Sequence, residues 1–409
     1  MGGSGPPASG GTGGSPAGGT VSSGGTVSSG GTVSSGGTVS SGGHSTGGLA
    51  GSGSPAGGSS AGGSSSGGSS SGGTPSGGSS SGGTPSGGTA SGGAGGTAGP
   101  DHIVTIRNGG FWQDTTGKRI EAHGGGFILV SDTWYWIGED KSHNAGEFKG
   151  VNCYASKDLV TWEFRNAIIT RSTATDLQPS DRIIERPKVV YNRKNNNYVM
   201  WLHWEGANYA TAEAGVFTCD TVDGDYELVR HFRPNNNMSR DDTLFKDDDD
   251  KAYFLSASND NADLALYELN ADYTDISRQV ATLWPGAYRE APALMKTNGR
   301  YFMMSSGATG WNPNQQQYAT ATAIAGPWSS LSNIGDSNGY DTQTTYILPV
   351  QGSSATTYIY MGDRWQDPDL VSSKYIWLPL KISDSKLTLD KYDSWQLNLT
   401  TGEWSAGGG

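Results

Sequence analysis

From residue 101 onward, apolar and polar positions alternate in short runs, and the spacing of a helix face is almost absent. Runs rich in aromatic and β-branched residues are separated by Gly, Asn and Asp, the residues of tight turns. The stretch from Arg289 to Met304 shows the whole pattern: Glu290 opens an apolar run, Asn298-Gly299 makes the turn, and Tyr301-Phe302-Met303-Met304 answers it. This is a hairpin with a charge at its mouth. Comparable units open at Glu121-Ala122-His123, Glu185-Arg186-Pro187, Arg240-Asp241-Asp242 and Asp341-Thr342-Gln343. Taken between positions 121, 185, 241, 290 and 343, the gaps are 64, 56, 49 and 53 residues, the length of large propeller blades. The pattern therefore predicts an all-β domain over 101–409, a five-bladed β-propeller. Its innermost strands would bring Glu121 or His123, Glu185, Asp241, Glu290 and Gln343 to one end of a central channel.

Composition divides the chain in two. Residues 1–100 contain no Asp, Glu, Lys or Arg, and Thr-Val-Ser-Ser-Gly-Gly repeats from Thr20 to Gly43. Such a segment buries too little apolar surface to offset its ordering entropy, so a disordered Gly/Ser/Thr-rich tether is expected. As a flexible coil it would reach roughly 50–60 Å. The net charge of −12 gives a field of the wrong sign for phosphate, so nucleic acid is not an expected partner. No apolar run is long enough to cross a bilayer as a helix. Met1 is followed by neither a charged nor an apolar leader segment. The stalk suits an extracellular or surface-tethered protein, with an export signal removed or lying outside this chain. A monomer is expected. Cys153 and Cys219 could pair, but both sit in apparent strands, which favours two free thiols.

Charged blade openings have a bland explanation as turn formers. Three carboxylates at equivalent places in successive units, Glu185, Asp241 and Glu290, argue instead for a shared pocket. Carboxyl groups whose environments separate their pKa values supply what acetal cleavage needs: a proton for the leaving oxygen and activation of a nucleophile. Across a narrow channel they could stand roughly 6.5–9.5 Å apart, which leaves room for water and predicts inversion. No second His or Cys stands at metal-ligand spacing from His123, so no metal or other cofactor is expected. The run Lys246-Asp247-Asp248-Asp249-Asp250-Lys251 falls where the third unit needs its turn and is read as solvated.

The strings IEAHGGGF, YWIGEDKSH, IIERPKVVYN, SRDDTLF, REAPALMK and MGDRW, in this order, resemble the propeller glycoside hydrolases of family 43, most closely the exo-β-1,3-galactanase branch. The resemblance covers 101–405 and none of the tether. It implies release of galactose from β-1,3-galactan, the backbone of arabinogalactan. Glu290 matches the general acid, Asp241 the carboxylate that tunes it, and Glu185 a carboxylate that holds the terminal galactose. Glu139, Tyr209 and Asn261 fall at sugar-binding positions, and Trp311 at a stacking position. The aspartate base usual in the family is missing from the first unit. Gln343 stands where the branch has a glutamine beside the attacking water. An unusual tautomer of Gln343, Glu185 or Glu121 would otherwise serve as base. A structural calcium occurs in such propellers, although no ligand set here demands one. An arabinofuranosidase or xylosidase, and a propeller that binds glycans without cleaving them, are the competing expectations.

Overall fold

The computed structural model describes residues 101–143 and 146–407, so the expected tether lies outside the described residues. Among the described residues there are 23 strands, three short 3-10 turns and no α-helix. Strand β1 (Ile103–Arg107) precedes the first meander, β2 (His123–Val130), β3 (Thr133–Glu139), β4 (Gly150–Ser156) and β5 (Glu163–Thr170). The second is β6 (Arg182–Asn192), β7 (Asn197–Gly206), β8 (Glu213–Cys219) and β9 (Glu227–Phe232). The third is β10 (Asp242–Lys246), β11 (Ala252–Ser258), β12 (Asp263–Leu269) and β13 (Ile276–Leu283). The fourth is β14 (Arg289–Thr297), β15 (Arg300–Gly307), β16 (Gln316–Ala321) and β17 (Ser332–Ile334). The fifth is β18 (Gln343–Gln351), β19 (Thr356–Arg364), β20 (Lys374–Ser383) and β21 (Lys386–Leu389). Each meander is an antiparallel four-stranded sheet with its strands in chain order.

A sixth sheet corrects the expectation of five blades. β1 pairs with β22 (Ser394–Asn398), which pairs with β23 (Trp404–Ala406), so the propeller counted by sheets has six blades. Strand β1 joins residues nearly three hundred positions away, Ile103 opposite Asn398, and no local hairpin signal announces such a register. Val104, Ile106, Trp395 and Leu397 enter the core between the first and fifth meanders, beside Trp136, Trp162 and Trp377. Burial of these large side chains, on the order of 1.5–3 kcal/mol each, therefore ties both ends of the domain to the ring. The strands β2, β6, β10, β14 and β18 pack in turn around the axis.

The acidic turn behaves largely as expected. It links β10 to β11, with Asp250 at φ 63 and the Asp247 N–H donating to Lys251 O at 2.8 Å. Asp247 departs from the expectation of full solvation. Its side chain is buried against the fourth meander, where Lys296 Nζ stands 2.5 Å away and Tyr301 donates its hydroxyl hydrogen. Cys153 and Cys219 are both free thiols.

Candidate active site

Three inner strands break their ladder at the same place. Register shifts follow His123 in β2, Glu185 in β6 and Glu290 in β14, and the next residue in each is left-handed: Gly124 at φ 60, Arg186 at φ 58, Ala291 at φ 50. A bulge at a strand mouth re-aims the side chain beside it. Non-glycine residues in this conformation are costly and gather at functional sites. At Gly124 a Cβ would lie 2.2 Å from Glu139 Oε1, so any other residue there would displace the carboxylate that accepts from the Arg186 N–H.

The bulges surround a cavity of about 280 Å³ at the mouth of the channel. Glu290, Asp241, Gln343, Glu185, Glu139, Tyr209, Asn261 and Trp311 all line it. Positions as distant as 139 and 343 thus meet around one small volume. Neither Glu121 nor His123 lines the cavity. The His123 ring is buried against Tyr375, with Nδ1 2.9 Å from Asp363 Oδ1 and Nε2 3.7 Å from Glu121 Oε2. It therefore orders its neighbours from behind the wall.

Glu290 is the centre of the arrangement. Its Oε1 accepts from Gln343 Nε2 at 2.9 Å, and its Oε2 from Asn261 Nδ2 at 3.4 Å. Burial, reinforced by the charge of Asp241, pushes its carboxyl up to about 8, although Arg186 pulls the other way. At neutral pH Glu290 therefore carries a proton. Gln343 has a fixed orientation, because its Oε1 accepts from Arg186 and from Trp365 Nε1, the latter at 2.8 Å. With two donors on the oxygen, the nitrogen must face Glu290.

Glu185 has the opposite fate. Burial alone would raise its pKa, but the adjacent His203 ring, the charge of Lys141 and the Tyr209 hydroxyl bring it down to about 2. Tyr209 donates to Oε1 at 2.9 Å, and His203 Nδ1 lies 3.2 Å from Oε2. His203 also has Nε2 3.4 Å from Glu205 Oε1. Although burial lowers its pKa, the two carboxylates lift it to about 10, so the ring is an imidazolium. Glu139 is buried between the Arg186 N–H at 2.9 Å and Lys141 Nζ at 2.8 Å.

Arg186, His203, Arg240 and Trp365 also line the cavity and escaped the sequence reading. Arg186 and Trp365 stood inside strings already singled out, next to Glu185 and two residues after Asp363. His203 gave no local signal, because it meets Glu185 only through the register of β6 and β7. Arg186 also forms an ion pair with Asp241 at 3.1 Å and donates to Thr344 O at 2.9 Å. The aromatic wall is Trp311 against Trp365, edge to face at 4.8 Å, with Lys141 Nζ 5.5 Å from the Trp311 ring centre.

Glu185, His203 and Asp241 each offer one possible metal ligand atom, all within 4.8 Å of one another. The carboxylate oxygens already have protein partners: Tyr209 donates to Glu185 Oε1 at 2.9 Å, and Arg186 supplies positive charge to Asp241 at 3.1 Å.

Residues 125–344 match the family model described as "Glycosyl hydrolases family 43". Among solved structures, the chain is similar to an exo-β-1,3-galactanase from Clostridium thermocellum, at 46% identity and a TM-score of 0.72. That match covers 74% of this chain and 68% of the other. It is also similar to an exo-β-1,3-galactanase from Phanerochaete chrysosporium, solved as a Glu-to-Gln variant with β-1,3-galactotriose. There the identity is 40%, the TM-score 0.71, and the coverage 75% of this chain and 71% of the other. A curated relative, a xylan 1,3-beta-xylosidase from Vibrio sp, is 24% identical over half of this chain, and the match spans 38% of its own length.

Proposed function

The chain belongs to the glycosyl hydrolases of family 43, and on that premise we propose that it removes galactose from the non-reducing end of β-1,3-galactan, with inversion. The observation that carries this reading is the pairing of a protonated Glu290 with an ionised Glu185 across a cavity at the small end for a ligand site. So small a cavity suits one terminal sugar ring, hence exo action. Glu290 gives its proton to the glycosidic oxygen as the bond breaks. Asp241 keeps that proton in place through like-charge repulsion and, with Glu185, stabilises the positive charge that develops on the sugar. Glu185, Glu139 and Tyr209 hold the ring hydroxyls, and Trp311 offers an apolar face. Gln343, held by Arg186 and Trp365, positions the attacking water, and the ionised carboxylate Glu185 takes up the proton the water loses; the Gln343 oxygen accepts from two donors, which favours the ordinary amide over the imidic tautomer.

The galactanases similar to this chain support galactan as the substrate, and arabinogalactan is its natural source in this reading. The Gly/Ser/Thr-rich, uncharged composition of residues 1–100 supports action outside the cell. The test is incubation with β-1,3-galactan and, separately, with arabinoxylan, followed by identification of the released sugar and its anomer. Release of α-galactose first is the expected result. Pentose release, or binding without release, overturns it.

A further inference from the structure

The cavity accounts for one sugar and leaves the rest of the polymer without a seat. Outside it, at the rim, stands Tyr288, 58% exposed and the most exposed large hydrophobic side chain among the described residues. Single exposed apolar residues are ordinary on protein surfaces. Three observations set this one apart. First, its backbone has φ 51, a true outlier for a bulky aromatic residue and a cost with no return in packing. Second, that backbone is pinned between two loops that build the cavity wall. Its N–H donates to Ala262 O at 3.2 Å, one residue after Asn261, and its carbonyl accepts from the N–H of the cavity residue Ala308 at 2.9 Å. Third, no hydrogen bond, ion pair or ring contact engages its side chain among the described residues.

The topology fixes which way this matters. Tyr288 lies in the connection from β13 to β14, two residues before Glu290, at the end of the ring where the β11–β12 and β15–β16 loops also lie. Tyr288 thus shares a rim with the proton donor, its backbone joined to the loops that carry Asn261 and Ala308. Glu290 must face the glycosidic oxygen, so the sugar beyond that oxygen leaves the cavity on the side of the acid. A chain leaving there meets an exposed aromatic ring whose backbone is pinned at the rim. Tyrosine suits such a platform, with a rigid apolar body that stacks on the C–H face of a pyranose and a hydroxyl that stays wet.

We propose that Tyr288 is the stacking platform for the second sugar of the substrate, on the leaving-group side of the scissile bond. This rests on the galactan reading above. It makes Tyr288 a specificity residue for chain length, with no part in binding the terminal galactose.

The test uses the full chain in a Glu290→Gln background, so that oligosaccharide is bound but not turned over, with galactose and β-1,3-galactotriose titrated calorimetrically. Adding Tyr288→Ala is expected to weaken galactotriose about tenfold while galactose stays within about twofold. Tyr288→Phe, which keeps the ring, is expected to restore galactotriose binding. Unchanged galactotriose affinity in Tyr288→Ala overturns the proposal, as does an equal loss for both ligands or a failure of Tyr288→Phe to restore binding. If the protein with Tyr288 intact binds neither ligand, the galactan reading itself fails, and Tyr288 loses its role with it.

Discussion

Two strand mouths in this protein share one sequence pattern and have opposite chemistry. Glu185-Arg186-Pro187 and Glu290-Ala291-Pro292 both lie in the first half of an inner strand, both carry a left-handed second residue, and both bulge at the same place. Yet Glu185 is held down to about 2 and Glu290 is pushed up to about 8. Both are buried, so desolvation does not separate them. The neighbours do. His203, Lys141 and Tyr209 bring positive charge and a donor to Glu185, whereas the second strongest influence on Glu290 is the negative charge of Asp241. One backbone device, used twice, thus aims two carboxylates, and the surrounding charges assign their roles.

The comparison breaks most completely if the proton is removed. Glu290→Gln is expected to lower turnover by about 10³-fold, measured as galactose release from β-1,3-galactan, while the circular dichroism spectrum is unchanged. The same variant tests the raised pKa through stability. A carboxyl protonated up to about 8 when folded, but only to its ordinary value when unfolded, makes the folded state bind the extra proton between those limits, so stability falls as pH rises through that window. Relative to Glu290→Gln, the wild-type Tm is expected to drop by several degrees between pH 5 and pH 8. A constant difference would show that Glu290 is not proton-loaded.

A smaller effect sharpens the charge argument. In wild type, kcat/KM is expected to decline as pH rises through about 8, where Glu290 loses its proton, and to hold on the acid side until Glu185 titrates near 2 or the fold fails. Asp241→Asn removes the repulsion on Glu290, so the basic limb is expected to move to lower pH, with a turnover loss of about ten- to a hundredfold. A limb that stays in place would assign the raised pKa to burial alone.

The smallest effect belongs to the other mouth. His203→Gln takes the imidazolium from Glu185, whose pKa is then expected to rise. The acid limb of kcat/KM moves to higher pH, with a KM increase of a few-fold and little change in kcat at neutral pH. An unmoved acid limb would mean that Lys141 and Tyr209 suffice to keep Glu185 ionised.

Eight of the residues drawn from the sequence as candidates converge on one cavity, with Glu121 and His123 left outside it, and the reason for the convergence lies in the repeat. A polar residue that opens an apolar run marks the same end of the same strand in each unit, and ring closure carries those ends together. What failed to show in the sequence was anything resting on contacts across distant strands. His203 is one register partner away from Glu185, and Trp365 meets Gln343 only when β19 runs past β18. The sixth sheet escaped for the same cause, since β1 and β22 have no hairpin between them.

The sequence by itself determined the strand order, the turns and the presence of carboxylates at successive blade openings, because alternation and turn chemistry act over a few residues. Only the tertiary structure decided the number of sheets, the fixed orientation of Gln343 and which glutamate keeps its proton. Those depend on burial and on charges brought within a few ångströms by segments far apart in the chain, and electrostatic energies in a desolvated pocket are set by distance in space.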